Sequence, residues 1–477
     1  MEKVNEKITS RDKDFAKWYT DVVREAGLAS YSSVKGCITI EPLGYAIWEN
    51  MKNTIDSSFK KIGVKNVYMP LLIPENLLKK EGELVEGFAP EVAWVTEGGE
   101  KHLDERLCIR PTSETLFSDY FHEKVKSYRD LPLVYNQWCN VFRWEKETRP
   151  FLRSREFLWQ EGHTVHASSE EAEEQAHKIH KIYTEFFENY LAIPVITGKK
   201  TEKEKFAGAE YSLTLEALMY NGVALQSATS HYFGNKFAKA YDIKFLNKEN
   251  KLEYAYQTSW GSTTRMIGAL IMVHSDDYGL VLPPKIAPVK VNIVPIKNTE
   301  KVNNYIEHIK KKLEGSGITY EVLDDDKSAG FKFADSEVHG VPIRIDVGER
   351  DLEKGIVTLT RRDTREKIEV NIEYNDLAVV CSTLLKTIQS DMYNRALERR
   401  NKLTFEAHNL DEVKKQMDTQ PGFIKAMWCG DEACEDKMKE IKGLKSRCIK
   451  DDEEKIDDKC CVCGKPAKHL VYWGVQY

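Results

Sequence analysis

Near the N-terminus the apolar positions recur at helical spacing. The pattern predicts a helix over 12–26, with Ser10 available as its cap and Gly27 as its stop. A second helix is predicted over 45–61, where Ile47, Met51, Ile55 and Phe59 fall on one face. Residues 65–71 then read as a strand closed by Pro70 and Pro74. Beyond it the spacing shortens to strand-like runs at 106–109, 133–143, 154–166, 223–233 and 253–260, with helices predicted over 112–127 and 169–190. Strand runs with scattered helices indicate an α+β fold around a mainly antiparallel sheet, not regular α/β alternation.

The pattern changes at Leu282-Pro283-Pro284-Lys285. There follow a strand (289–295), a helix (299–314), a strand (319–323), a helix (329–338) and a strand (342–347), which make a small α/β unit of βαβαβ order. It carries no glycine-rich phosphate loop, which argues against a nucleotide-binding role for this part. A long helical stretch, 374–402, leads into a third unit. The resulting division is 1–283, 284–403 and 404–477.

Composition narrows the functional class. The chain has 477 residues, 41% hydrophobic and 31% charged, with a net charge of −6, so a large core is available and a wholly basic nucleic-acid coat is excluded. No apolar run approaches the roughly 18 residues that a membrane helix needs. The N-terminal segment lacks the apolar stretch of a secretory signal. A cytoplasmic protein with no membrane span is expected. Six of the ten cysteines (Cys429, Cys434, Cys448, Cys460, Cys461 and Cys463) cluster at the C-terminal end. In a reducing compartment such clustering points to a metal site rather than to disulfides.

The richest segment begins at Phe142 and reads FRWEKETRPFLRSREFLWQEGH. Two strands joined by a charged turn fit it. Alternation puts Arg143 with Glu145 on one face of the first, and Arg155, Phe157, Trp159, Glu161 and His163 on one face of the second. So many polar groups on one sheet face are costly to bury without partners. Guanidinium groups fork onto phosphates and stack on rings, so a phosphorylated, planar ligand suits this face. In SWGSTTRMIGALIMVH, from Ser259, a strand passes through Gly261 into a helix with Arg265 in its first turn, where free N–H groups already favour anions. With Arg143 and Arg153, this suggests a triphosphate held from several sides.

These segments resemble the signature motifs of class II aminoacyl-tRNA synthetases: Arg143 with Glu145 resembles motif 2, Gly261–Gly268 with Arg265 motif 3, and the helix–strand unit ending in Pro70 motif 1. Arg110-Pro-Thr-Ser-Glu114, Trp159-Gln-Glu-Gly-His163, the stretch from Glu204 to Ala209 and Ala228-Thr-Ser-His231 resemble, more narrowly, the prolyl-tRNA synthetases of archaeal/eukaryotic-like type. The resemblance implies a class II antiparallel-sheet catalytic domain, an α/β anticodon-binding domain and a small α+β zinc-binding C-terminal domain. Its implied substrates are proline, ATP with Mg²⁺, and tRNA(Pro), and its implied assembly is a homodimer.

By the same resemblance, Thr112, Glu114, Arg143, Trp159, His163, Phe206 and His231 form the proline pocket, with Phe88 and Glu91 as neighbours. Arg143, Glu145, Arg153, Ser154, Gln226, Thr229, Thr263 and Arg265 bind ATP, and Arg143 and Arg265 are the catalytic pair. Residue chemistry suits these roles: a carboxylate and a hydroxyl for a secondary ammonium, aromatic walls for an apolar ring, and cations for developing phosphate charge. Each taken alone has a plainer reading, Trp159 and Phe206 as core and Glu114 as a helix-dipole complement. Phe331, Lys332, Phe333, Glu337, Arg344, Glu349, Arg350 and Arg361 are candidates for reading anticodon bases. Cys429, Cys434, Cys460 and Cys463 suit a closed, structural Zn²⁺ site, with Cys461 the rival to Cys460. The acidic run 451–458 reads as a solvated loop. Residues 164–225, between motifs 2 and 3, leave no room for an independently folded editing domain.

Overall fold

The computed structural model describes residues 7–80, 82, 92–441, 443–450 and 454–477. Its backbone is organised by an eleven-stranded sheet. In spatial order the strands are Thr404–Glu406, Phe423–Trp428, His469–Val475, Leu444–Ile449, Val195–Lys199, Tyr211–Leu218, Ala224–Gly234, Tyr256–Thr263, Glu156–His166, Leu133–Phe142 and Lys65–Asn66. All neighbours are antiparallel except the two outermost pairs. The first four strands belong to the cysteine-rich end of the chain, so that unit extends the central sheet instead of standing apart from it. The acidic run 451–458 is described only from residue 454.

Helices cover the sheet where their apolar stripes predict. In Pro42–Lys61 the buried set includes Ile47, Met51, Ile55 and Phe59, and Pro42 occupies the first turn, where its missing N–H is harmless. Helix Ser169–Asn189 is capped by the Ser168 hydroxyl and buries Ala172, Ala176, Ile179, Tyr183, Phe186 and Phe187 against the sheet. Between two of the central strands, Gly162 faces Trp260. A Cβ there would meet the indole at 1.8 Å, so only glycine lets Trp260 (2% exposed) lie flat under the site.

The expected strand over 65–71 is shorter. Only Lys65–Asn66 joins the main sheet, and Leu72–Pro74 joins a separate three-stranded sheet with Lys101–Ile109 and Ala93–Gly98. Between them, side chains take over the backbone groups: Gln137 Oε1 accepts from Met69 N at 2.9 Å, and Arg110 donates to Met69 O at 2.7 Å.

The unit after Pro284 contains the expected parallel strands Tyr320–Val322, Val291–Pro295 and Ile343–Val347. An antiparallel pair, Ile356–Arg361 and Lys367–Asn371, completes its five-stranded sheet, which makes it mixed. Asp276 ties this unit to the first. It accepts from Arg362 at 2.9 and 2.7 Å, and Arg362 is buried between them.

Candidate functional site

Three strands, a turn and a loop converge on a cavity of about 260 Å³. Glu156–His166 contributes Phe157, Trp159 and Glu161; Ala224–Gly234 contributes Gln226, Thr229 and His231; and Tyr256–Thr263 contributes Ser259, Gly261 and Thr263. Arg143, Glu145, Arg153 and Ser154 come from the turn after Leu133–Phe142, and Lys200, Glu204 and Phe206 from the loop before Tyr211–Leu218. The turn is pinned by paired backbone hydrogen bonds between Arg149 and Arg153, at 2.7 and 2.9 Å.

One end of the cavity is built around a buried carboxyl. Glu114 opens helix Glu114–Lys124 directly after its N-cap Ser113 and accepts a short hydrogen bond from the Thr112 hydroxyl. Ser259 Oγ stands 3.5 Å from its other oxygen. Burial pushes the Glu114 carboxyl up from its ordinary range, and the nearby Glu161 charge adds to this while His163 opposes it. A carboxyl held in that condition gains its charge when a cation arrives.

Glu161 is the opposite case. Burial would raise it, but it accepts from Ser113 N (3.0 Å), Ser113 Oγ (2.6 Å) and Gln137 Nε2 (2.7 Å) and pairs with His163 Nε2 at 2.8 Å. Those bonds hold it below the usual carboxylate range. His163 itself does not line the cavity. It lies behind Glu161, stacked on Phe117 at 4.2 Å between ring centroids, and so braces the wall rather than forming it. Phe206 and His231 face each other at 4.8 Å across the same end. Ser212 bonds to His231 Nδ1 at 2.7 Å, and burial drives the imidazole down to about 3, so it is neutral at pH 7.

The other end is cationic. Arg265, half-buried, is lowered to about 10 first by desolvation and then by the charges of Arg143 and Arg153. Its Nε donates to Leu152 O at 3.2 Å, and Thr263 Oγ1 accepts from its backbone N–H at 3.0 Å, which fixes the guanidinium at the helix start. Arg153 lies 3.9 Å from Glu145. Arg143 stands between the two ends: its guanidinium is 5.5 Å from the Phe157 and Trp159 ring centroids, and its Nε donates to Pro111 O at 3.1 Å. Three clustered guanidiniums repel one another, so this end of the cavity favours an anion.

The structure thus brings Thr112, Glu114, Arg143, Trp159, Phe206 and His231 together at one cavity, with Glu145, Arg153, Ser154, Gln226, Thr229, Thr263 and Arg265 along the same wall. Phe88 and Glu91 lie outside the described residues. Sequence reasoning left Glu161, Lys200, Glu204 and Ser259 without roles. Glu161 was detectable from its place in the alternating strand; Lys200 was not, because its partners are distant in sequence. Of the anticodon candidates, Arg344 stacks on Phe333 at 4.0 Å and Phe331 is exposed, whereas Lys332 is buried and Arg361 is occupied by Asp363 and Asp391.

A second cluster lies at the end of strand Phe423–Trp428. Cys429, Cys434, Cys460 and Cys463 place their Sγ atoms within 4.8 Å of one another. The separations Cys429–Cys434 and Cys429–Cys463 are 3.7 and 3.8 Å. A tetrahedron with Zn–S bonds of ~2.3 Å has edges of ~3.8 Å, so the thiols fit zinc. The backbone N–H of Lys465 holds the Cys463 thiol down to about 7. Cys461, outside the cluster, is pushed up to about 12 by burial.

Comparison with known proteins agrees with this geometry. Residues 94–274 match the family model of the class II tRNA synthetase core domain (G, H, P, S and T). Residues 290–376 match the anticodon binding domain, and 410–477 match the prolyl-tRNA synthetase C-terminal model. The chain is 57% identical to the proline–tRNA ligase of Lachnospira eligens over 476 residues, covering 100% of this chain and 99% of that one. It is 55% identical to the proline–tRNA ligase of Lachnoclostridium phytofermentans over 476 residues, with the same coverage. Against that of Clostridium novyi it is 55% identical over 473 residues, covering 99% and 98%.

Proposed function

This chain belongs to the proline–tRNA ligases, and from that premise we propose how its residues divide the reaction. The enzyme activates L-proline with ATP to prolyl-adenylate and pyrophosphate, then transfers proline to the 3′-terminal adenosine of tRNA(Pro). The observation that carries the assignment of roles is the polarity of one cavity, with a buried carboxyl at one end, Arg153 and Arg265 at the other and Arg143 between them.

Glu114 and the Thr112 hydroxyl receive the secondary ammonium of proline, and Trp159, Phe206 and His231 wall its ring. Neutral His231 adds polar surface without a competing cation. His163 acts through Glu161, which grips Ser113 and so fixes the helix start that carries Glu114. Arg143 bridges the proline carboxylate and the α-phosphate, holding the attacking oxygen in line and countering charge as it develops. Arg153 and Arg265 bind the outer phosphates, while Glu145, Ser154, Gln226, Thr229 and Thr263 hold the nucleotide. Mg²⁺ accompanies ATP and supplies charge neutralisation on the departing pyrophosphate, and Glu145 is the lining carboxylate beside the arginines available to it. Arg143 and Arg265 are the catalytic residues of this scheme.

Cys429, Cys434, Cys460 and Cys463 hold a structural zinc, a reading supported by thiol spacing and by the absence of an open fourth position. The chain divides at 283/284 and 403/404, works as a cytoplasmic homodimer and contacts the anticodon through the middle unit. Tyr31, Tyr45 and Tyr68 are exposed and offer that dimer apolar surface. Among the described residues no helix is long and apolar enough to cross a membrane. ATP–pyrophosphate exchange measured across the amino acids tests the assignment. Proline should support it best, and a better response to any other amino acid would overturn the pocket.

A further inference from the structure

The loop that carries Phe206 is held from outside the catalytic unit. Three of its residues, Thr201, Lys203 and Glu204, have partners on helix Glu432–Lys439 of the cysteine-rich unit. Lys203 Nζ lies 2.6 Å from Asp436, and Lys439 Nζ lies 3.0 Å from Glu204, which itself lines the cavity. These pairs are partly exposed, and such pairs contribute little alone.

Glu435 is different. It is 0% exposed, and its Oε1 accepts from Thr201 Oγ1 at 2.9 Å and from Ser446 Oγ at 2.8 Å, with Lys439 Nζ at 3.5 Å. A fully buried carboxyl that gathers a loop hydroxyl, a strand hydroxyl and a lysine on Oε1, with Oε2 buried and unpartnered, makes each of those contacts costly to give up. The loop it grips ends at Phe206, whose backbone N–H is held by Ser212 Oγ at 3.0 Å, the same hydroxyl that orients His231.

We propose that Glu435 is a positioning residue for proline: from the C-terminal unit it locks the Thr201–Phe206 segment so that Phe206 and Glu204 close the amino-acid end of the cavity. Through Glu435 the C-terminal unit therefore sets amino-acid affinity and selectivity, while it meets the nucleotide end through other residues, Tyr477 against Arg149 of the turn that carries Arg153. The inference rests on the reading of Phe206 as a wall of the proline pocket.

The test measures KM for proline and for ATP separately in pyrophosphate exchange. Glu435→Ala and Thr201→Val should each raise KM for proline about tenfold and leave KM for ATP within twofold. Glu435→Gln, which keeps the acceptor oxygen, should stay near wild type. In a double-mutant cycle Thr201→Val and Glu435→Ala should be strongly non-additive. Thr201→Val removes only the hydroxyl that meets Glu435 and Ser446 and leaves every residue of the C-terminal unit in place, so it tests the idea even if Glu435→Ala fails to fold. Proline KM unchanged in Thr201→Val, or proline and ATP KM rising together, would overturn the proposal. Phe206→Ala separates the two readings. If it leaves proline KM unchanged, the wall itself is misassigned; if it raises proline KM while Thr201→Val does not, only the Glu435 coupling falls.

Discussion

Arg447, on a strand of the C-terminal unit, donates to Glu216, on a strand of the catalytic sheet, through Nε at 2.9 Å and Nη2 at 2.6 Å. Lys200 completes the group with Nζ 2.8 Å from the other Glu216 oxygen, and all three side chains are buried. Burial opposes the Glu216 charge, but Arg447 and then Lys200 outweigh it, so the carboxyl lies below its ordinary range and is ionised at neutral pH.

Glu216→Ala should therefore destabilise the protein by about 3–5 kcal/mol, since it strands two buried cations. Because the folded-state pKa is depressed, this contribution is present above the usual carboxylate range and disappears as pH falls through the folded value. Denaturant unfolding of wild type and variant at pH 7 checks it. A loss below about 1 kcal/mol would show that water reaches the group.

Glu114 predicts the opposite pH behaviour for binding. Its carboxyl is raised by burial, so in the free enzyme it keeps its proton above the usual carboxylate range. Proline needs the ionised form. KM for proline should fall as pH rises through that raised pKa and then level off, while Glu114→Gln should be weak at every pH. A flat wild-type profile across acidic to neutral pH would contradict the assignment.

Arg143→Ala should cost on the order of 2–4 kcal/mol in kcat/KM for exchange, the scale seen when one preorganised donor is removed. Arg143→Lys should recover only part, because an ammonium lacks the fork that spans carboxylate and phosphate. Activity of the alanine variant within fivefold of wild type would remove Arg143 from the catalytic pair.

Much of this site could be read before any coordinates. Period-two alternation put Arg143 with Glu145, and Trp159 with Glu161, on shared faces, and all four line the cavity. The alternation worked because Arg143, Glu145 and Glu161 share the cavity-facing side of that hairpin. Tyr211–Leu218 was missed although Ser212, Thr214 and Glu216 alternate with Leu213, Leu215 and Ala217, and Val195–Lys199 is too short to show a period. The pairing of Glu216 with Arg447 spans 231 residues and leaves no local trace. His163 was placed on the correct face, but it stands behind Glu161 and not on the cavity wall, because alternation gives a side and not a depth.

Metal analysis should find about one zinc per chain. Cys461→Ser should retain it, whereas Cys434→Ser or Cys460→Ser should release it and lower the unfolding temperature. Full zinc content after replacing both Cys434 and Cys463 would refute the ligand set.

Residues 164–225 are fully described and are used up by the end of Glu156–His166, helix Ser169–Asn189, strands Val195–Lys199 and Tyr211–Leu218, and the Phe206 loop. They form no separate hydrolytic domain. Since each missing methylene gives only roughly 1–3 kcal/mol of discrimination, alanine should be activated detectably. Supplied with alanine-charged proline tRNA, the purified enzyme should not deacylate it above the no-enzyme rate.

Strand His469–Val475 lies inside the large sheet, hydrogen-bonded to Phe423–Trp428 on one side and Leu444–Ile449 on the other. This segment is thus an interior plank, not an edge. Without it the neighbouring strands present open backbone groups of the kind that invite pairing with another chain. A variant that loses this strand should be aggregation-prone rather than a shortened enzyme, so its seating in the sheet acts as a checkpoint for solubility.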